Sequence, residues 1–166
     1  MENISGRIEE RRNMERRIEE GRLDTPEDVA RYFTEYTWLI WDYLLIGEIY
    51  QCYNEEIKMN YAGGEVRQGV PGVIARTLAS TKDLPQDNES MFLDIFAQKN
   101  ADGSYSFIQM TSGYSPSHFG GAPFSPPPGR IYEDDRVMRV GLCECRVEKI
   151  DGRWKIVEEW LLGTQG

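Results

Sequence analysis

The sequence predicts an α+β domain, a cone-shaped barrel in which a strongly curved antiparallel sheet wraps around a long N-terminal helix. Three observations predict it. Val29, Tyr32, Phe33, Tyr36, Ile40, Tyr43 and Leu44 recur at three- and four-residue spacing, the apolar stripe of one amphipathic helix. From Met91 onward, short apolar or alternating runs are separated by turn residues, the pattern of a strand meander. Helical segments come first and strands afterwards, an order that sets helices against one face of an antiparallel sheet.

The first segment, Glu2 to Glu20, mixes Arg and Glu densely and offers only Ile4, Ile8, Met14 and Ile18 as apolar residues. Such a helix is too polar to be held by burial alone, so residues 1–24 are expected to form a charged, peripheral helical extension. A partner-binding or dimer-clasping arm is the alternative. A clear helix start follows: Thr25 as N-cap, Pro26 at the first helical position, and Glu27 and Asp28 near the positive end of the dipole. This helix is expected to run to Ile46 and to stop at Gly47. A short helix from Glu48 to Tyr53, a strand from Glu56 to Tyr61 closed by Gly63 and Gly64, and a third helix from Pro71 to Ser80 come next. Met91 to Gln98 reads as a strand that turns at Asn100 to Gly103 into a second one, in which Tyr105, Phe107 and Gln109 alternate with Ser106, Ile108 and Met110. Arg136 to Lys149 and Arg153 to Leu162 form a last hairpin around Asp151 and Gly152.

With 166 residues, 40% of them hydrophobic, the chain closes one ordinary core, so residues 25–166 are read as a single domain. Formal net charge is -9 and the pI about 4.7. Residues 1–22 hold six arginines against six glutamates, so the domain proper carries that whole charge and would be repelled by nucleic acid or an anionic membrane. Cys52, Cys143 and Cys145 are an odd, sparse set without disulfide-framework spacing, which points to reduced thiols in a cytoplasm. Cys143 and Cys145 share one face of a strand, but two thiols and one distant histidine leave a tetrahedral metal site incomplete, so no metal is expected. No charged start followed by an apolar run is present, and the apolar stretch from Trp38 to Tyr50 is interrupted by Asp42, Gly47 and Glu48, so a membrane span is not expected.

Three stretches carry a resemblance. They are Trp41-Asp42-Tyr43 through Ile49, Tyr50, Tyr53 and Ile57 to Gly69 and Ile74; Ser117-His118-Phe119-Gly120-Gly121-Ala122-Pro123 with Pro128-Gly129-Arg130; and Asp151-Gly152 through Ile156 to Glu159-Trp160. Together they resemble the SnoaL-like polyketide cyclase branch of the nuclear transport factor 2-like superfamily, over residues 26–164. The resemblance implies a pocket enzyme without metal or organic cofactor, in which a carboxylate and a histidine move protons on an apolar cyclic carbonyl compound. It also implies a homodimer paired through the sheet. Abstracting a proton beside a carbonyl takes a base close to the carbon, a donor for the developing enolate oxygen, and little water, all of which a curved sheet supplies.

His118 is the histidine this implies. Where the family's last strand continues Trp-x-x-x-Asp, this chain has Thr164, whose hydroxyl is no base near neutral pH. Glu158, of the same parity as Trp160, is the nearest substitute, followed by Asp94 in the middle of an apolar strand and by Glu144 between the two cysteines. Asp94 shares parity with Phe92 and Phe96 and faces the cavity or solvent together with them. Trp41, Tyr50, Tyr53, Phe119, Glu144, Trp160 and Thr164 are the expected walls of a pocket for a small apolar or aromatic ligand, although core packing explains the aromatic residues as well. The missing aspartate supports a second reading, a non-catalytic ligand-binding or assembly module of the same fold.

Overall fold

The computed structural model describes residues 4–21, 23–61, 63–81, 89–114 and 140–161. Helix α1 spans Ile4–Glu20 and α2 spans Pro26–Trp41; a 3-10 turn at Ile46–Glu48 and the short α3, Ile49–Cys52, lead into strand β1, Tyr53–Tyr61. Strand β2, Val66–Gln68, and helix α4, Val70–Thr81, follow. The remaining strands are β3, Glu89–Lys99, β4, Tyr105–Tyr114, β5, Val140–Ile150, and β6, Arg153–Leu161. The six strands form one curved sheet in the order β2-β1-β6-β5-β4-β3. Every neighbouring pair is antiparallel except β1 and β6, which run parallel because the chain returns to the first strand only after laying down the other four.

The start of α2 is built as its residues dictate. The Thr25 hydroxyl accepts from the Asp28 N–H at 3.2 Å, and the Asp28 carboxylate accepts from the Thr25 N–H at 3.1 Å, so two otherwise unpaired donors are satisfied reciprocally. Its end differs from expectation. The helix stops at Trp41, the Tyr43 N–H reaches back to the Trp38 carbonyl, and Leu44 at φ 56 turns the chain. A non-glycine residue in the left-handed region makes the stop that Gly47 was expected to make.

Helix α1 is held more firmly than its charge predicts. Met14 and Ile18, one turn apart, are buried, and Arg17 Nε donates to Glu35 Oε1 on α2 at 2.6 Å. Two apolar residues on one stripe suffice when a half-buried ion pair fixes the pairing of two helices.

The core lies between α2, α4 and the concave face of the sheet. Phe33 stacks on Phe107 with ring centroids 4.6 Å apart, and Leu39, Ile49, Ile57, Val147 and Ile156 are fully buried around them. The β5–β6 hairpin turns at Asp151 and Gly152, both at positive φ, as the Asp-Gly pair predicts. Within it, Val147 faces Ile156 but Arg146 faces Glu158, so one extra residue, Val157, bulges from β6. That bulge decides which carboxylate enters the interior.

Candidate functional site

A cavity of about 150 Å³ opens in the core between α2 and the sheet. Phe33, Tyr36, Thr37, Ile40 and Trp41 of α2 form one wall; Tyr53 and Met59 of β1, Phe107 and Gln109 of β4, Cys145 of β5, and Ile156, Glu159 and Leu161 of β6 form the opposite one. Val73, Arg76 and Thr77 of α4 close the side. The volume is close to that of a cavity that admits benzene, so by size one six-membered ring fits among these residues.

The chemistry of this cavity is on its floor. Glu159 is 7% exposed, accepts from the Tyr53 hydroxyl at 3.2 Å on Oε2, and accepts from the Cys143 thiol at 3.0 Å on Oε1. Burial pushes its carboxyl above the usual carboxylate range, while the two hydrogen bonds pull the other way. Cys143 Sγ lies 3.3 Å from Cys145 Sγ. The hydrogen bond between the two thiols and their burial raise Cys143 well above its ordinary value, and burial holds Cys145 at about 11, so both are neutral thiols near pH 7.

Two polar atoms at the cavity lack partners. The Tyr36 hydroxyl and Gln109 Oε1 are buried and find no hydrogen bond among the described residues. Buried polar groups are ordinarily satisfied, so a donor and an acceptor stand ready for a guest. Thr37 and Thr77 are not available in this way, since each hydroxyl donates to the carbonyl one turn back in its own helix.

The sequence-predicted residues divide into four groups. Trp41 and Tyr53 line the cavity. Glu158 does share a face with Trp160, but it is the outer face: Glu158 pairs with Lys58 at 3.3 Å and accepts from Asn60, and neither it nor Trp160 is part of the cavity wall. Glu144 lies beside Trp160 in the same outward row, opposite Ile108, and Tyr50 is 63% exposed on α3. Asp94 has its backbone in β3 opposite Met110, but its side chain lies outside the described ones, as do His118, Phe119 and Thr164 altogether.

Glu159, Tyr36 and Gln109 are the site residues sequence reasoning passed over, and the cysteine pair it took only as an incomplete metal site. The signal for Glu159 was close at hand. Counting back from the Asp151-Gly152 turn in straight register sets Cys145 opposite Glu158; the bulge at Val157 moves that place to Glu159.

No protein-family model matches the chain, and no curated relative matches it in sequence. Solved structures do resemble it. A nuclear transport factor 2-like protein of unknown function from Pseudomonas putida KT2440 superposes with a TM-score of 0.59 at 11% identity, over 82% of this chain and 84% of that one. A protein provisionally named a scytalone dehydratase from Novosphingobium aromaticivorans superposes with a TM-score of 0.56 at 15% identity, over 82% of each chain. The yeast UBP3-associated protein Bre5 superposes with a TM-score of 0.57 at 9% identity, over 86% of this chain and 98% of that one. At these identities the likeness speaks to architecture, and the chain has the nuclear transport factor 2-like, cystatin-like fold.

Proposed function

We propose that the protein is a small-molecule pocket enzyme that moves a proton on a single-ring carbonyl compound without a cofactor, with Glu159 as the acid–base group. The observation that supports this most is a buried carboxyl group on the floor of a benzene-sized cavity that also holds the hydroxyl of Tyr36, which has no partner among the described residues. In this reading the Glu159 carboxylate takes a proton from the carbon beside the ring carbonyl, and the carboxylic acid so formed returns it at another position. The Tyr36 hydroxyl donates to the oxygen on which enolate charge develops. Tyr53 and Cys143 hold the carboxylate by its two oxygens, which fixes its direction of attack. A base raised by burial toward neutrality is suited to both halves of such a transfer. His118 and Asp94 belong to this reading only through the resemblance.

Deuterium exchange at the carbon beside the carbonyl in a panel of cyclopentenones and cyclohexenones, followed by proton NMR, tests it. Wild-type protein is expected to accelerate exchange for at least one compound, and Glu159→Gln to lower that rate by about 10²–10⁴-fold. Equal rates in the two proteins would reject Glu159 as the base. Binding of a ring ketone without exchange would favour the alternative, a non-catalytic binding module of the same fold.

A further inference from the structure

Cys143, Cys145 and Glu159 serve the proton-transfer reading only in part: it uses one thiol as a hydrogen-bond donor and leaves the other idle. All three are buried, and one ligand atom from each lies within 4.8 Å of the others. The two sulfurs are 3.3 Å apart and Cys143 Sγ is 3.0 Å from Glu159 Oε1. We propose that these three residues form a site for one thiophilic divalent cation, Zn²⁺ being the best match, on the floor of the cavity.

The geometry carries this. A tetrahedral zinc ion with bonds of about 2.3 Å to sulfur and about 2.1 Å to oxygen sets its ligand atoms roughly 3.5–3.8 Å apart; the Cys143–Cys145 and Cys143–Glu159 separations of 3.3 and 3.0 Å need to open by only about half an ångström to accept it, and Cys145 Sγ lies within 4.8 Å of a Glu159 oxygen. Cys143 and Cys145 stand two apart on one face of β5. Their Cα atoms are separated by about 6.6 Å of strand, near the upper end of what a disulfide spans, so chelation suits the pair better than oxidation.

Among the described residues no lysine or arginine is paired with Glu159. A core that encloses a carboxyl group and two thiols gains by placing a divalent cation between them. The Tyr53 hydroxyl already holds the second carboxylate oxygen, as the outer partner of a metal-binding carboxylate commonly does.

Entry of Zn²⁺ breaks the two S–H bonds, and the O–H bond where Glu159 is protonated; the protons leave to buffer and three metal bonds form, with no change of oxidation state. Cys145 and Glu159 line the cavity, so the fourth coordination position faces it. This inference goes beyond the proton-transfer reading and does not depend on it. A bound cation takes the Glu159 lone pair, so occupancy and proton transfer exclude each other.

The experiment is a titration of the chelator-treated full chain with Cd²⁺, watching the ultraviolet thiolate-to-metal charge-transfer absorption, and with Zn²⁺ by calorimetry. One cation per chain is expected. The charge-transfer band should vanish in Cys143→Ser/Cys145→Ser and persist in Cys52→Ser, whose thiol sits apart beside the Tyr32 hydroxyl. Glu159→Gln should weaken binding at least tenfold while keeping the band. Thermal melts of each variant show whether it is folded. Where the double variant is not, X-ray absorption of the wild-type complex counts the sulfur ligands instead: two support the site, and any other number overturns it. Absence of a band in folded wild-type protein, or its loss on Cys52→Ser alone, overturns it as well. Exchange activity of the metal-free protein is read separately, so failure of either reading is recognisable by itself.

Discussion

The two faces of the β5–β6 hairpin differ by one residue in sequence and by their whole chemistry. On the concave face Cys143, Cys145 and Glu159 share hydrogen bonds away from water; on the convex face Glu144, Arg146, Glu158 and Trp160 stand half-exposed, with Arg146 bonded to Asp102 and Glu148, and Glu158 to Lys58. Glu158 and Glu159 are the same length or within one methylene of every other carboxylate in the chain. Glu159 is buried and that burial raises its carboxyl, while Glu158 lies half-exposed on the outer face beside Lys58.

The sharpest way to break this comparison is to remove each carboxylate in turn. Glu159→Gln is expected to lower the exchange rate by about 10²–10⁴-fold, while Glu158→Gln leaves it within about twofold and changes stability by less than about 1 kcal/mol. Kinetics and thermal melts on the two variants check both halves. A loss of activity in Glu158→Gln equal to that in Glu159→Gln would erase the distinction between the faces.

The same contrast holds for apolar residues of neighbouring strands. Phe107 points inward and is 2% exposed, stacked on Phe33; Phe96 points outward and is 60% exposed, in a row with Ile108 at 40%. Phe107→Ala is expected to cost about 3–5 kcal/mol, and Phe96→Ala no more than about 0.5 kcal/mol in a monomer. The homodimer expected through the sheet would draw on this outward row together with Met110. Phe96→Glu should then convert a dimer to a monomer by light scattering, and a wild-type protein already monomeric at micromolar concentration would remove the dimer.

These differences show what was legible beforehand. The Thr25-Pro26 start, the Asn100–Gly103 and Asp151-Gly152 turns, and the helix-then-strand order depend on neighbours along the chain, and the structure follows them. Glu159 depends on a bulge whose residue, Val157, looks like any other strand residue; parity counting is right on each side of it and wrong across it. The burial of α1 depends on Arg17 meeting Glu35, eighteen residues away, which composition alone reads as two more surface charges. Tyr36 was legible as a core residue on the apolar stripe, but whether its hydroxyl has a partner is decided by residues on four strands and on α4.

Tyr36 therefore offers a finer test than the carboxylates. Removing a buried hydroxyl that has no partner among the described residues leaves packing intact, so Tyr36→Phe is expected to keep or slightly raise the thermal midpoint. If the hydroxyl donates to the developing enolate, the same change lowers turnover by about 10²–10³-fold with little effect on ligand affinity. Tyr53→Phe makes the control: its hydroxyl does have a partner, Glu159, so its loss should cost about 1–3 kcal/mol of stability as well as activity. Equal melting and equal kinetics in the two variants would mean that partnered and unpartnered hydroxyls do not differ here.

The smallest expected effect lies at the far end of the comparison, where a carboxylate is lowered instead of raised. The Thr25 hydroxyl, helped by the Thr25 and Asp24 backbone N–H groups and by Arg31, holds Asp28 below the ordinary aspartate value of 3.8, against an opposing push from desolvation that is second in size only to the hydroxyl. Its folded pKa is depressed, so its contribution to stability is present above the unfolded value and is lost as pH falls through the folded one. Asp28→Asn should flatten the decline in thermal midpoint below pH 4 and leave the neutral-pH midpoint lowered by only a degree or two, since asparagine still accepts from the backbone but carries no charge for the helix dipole. A decline in acid as steep in the variant as in the wild type would place the acid sensitivity of α2 elsewhere.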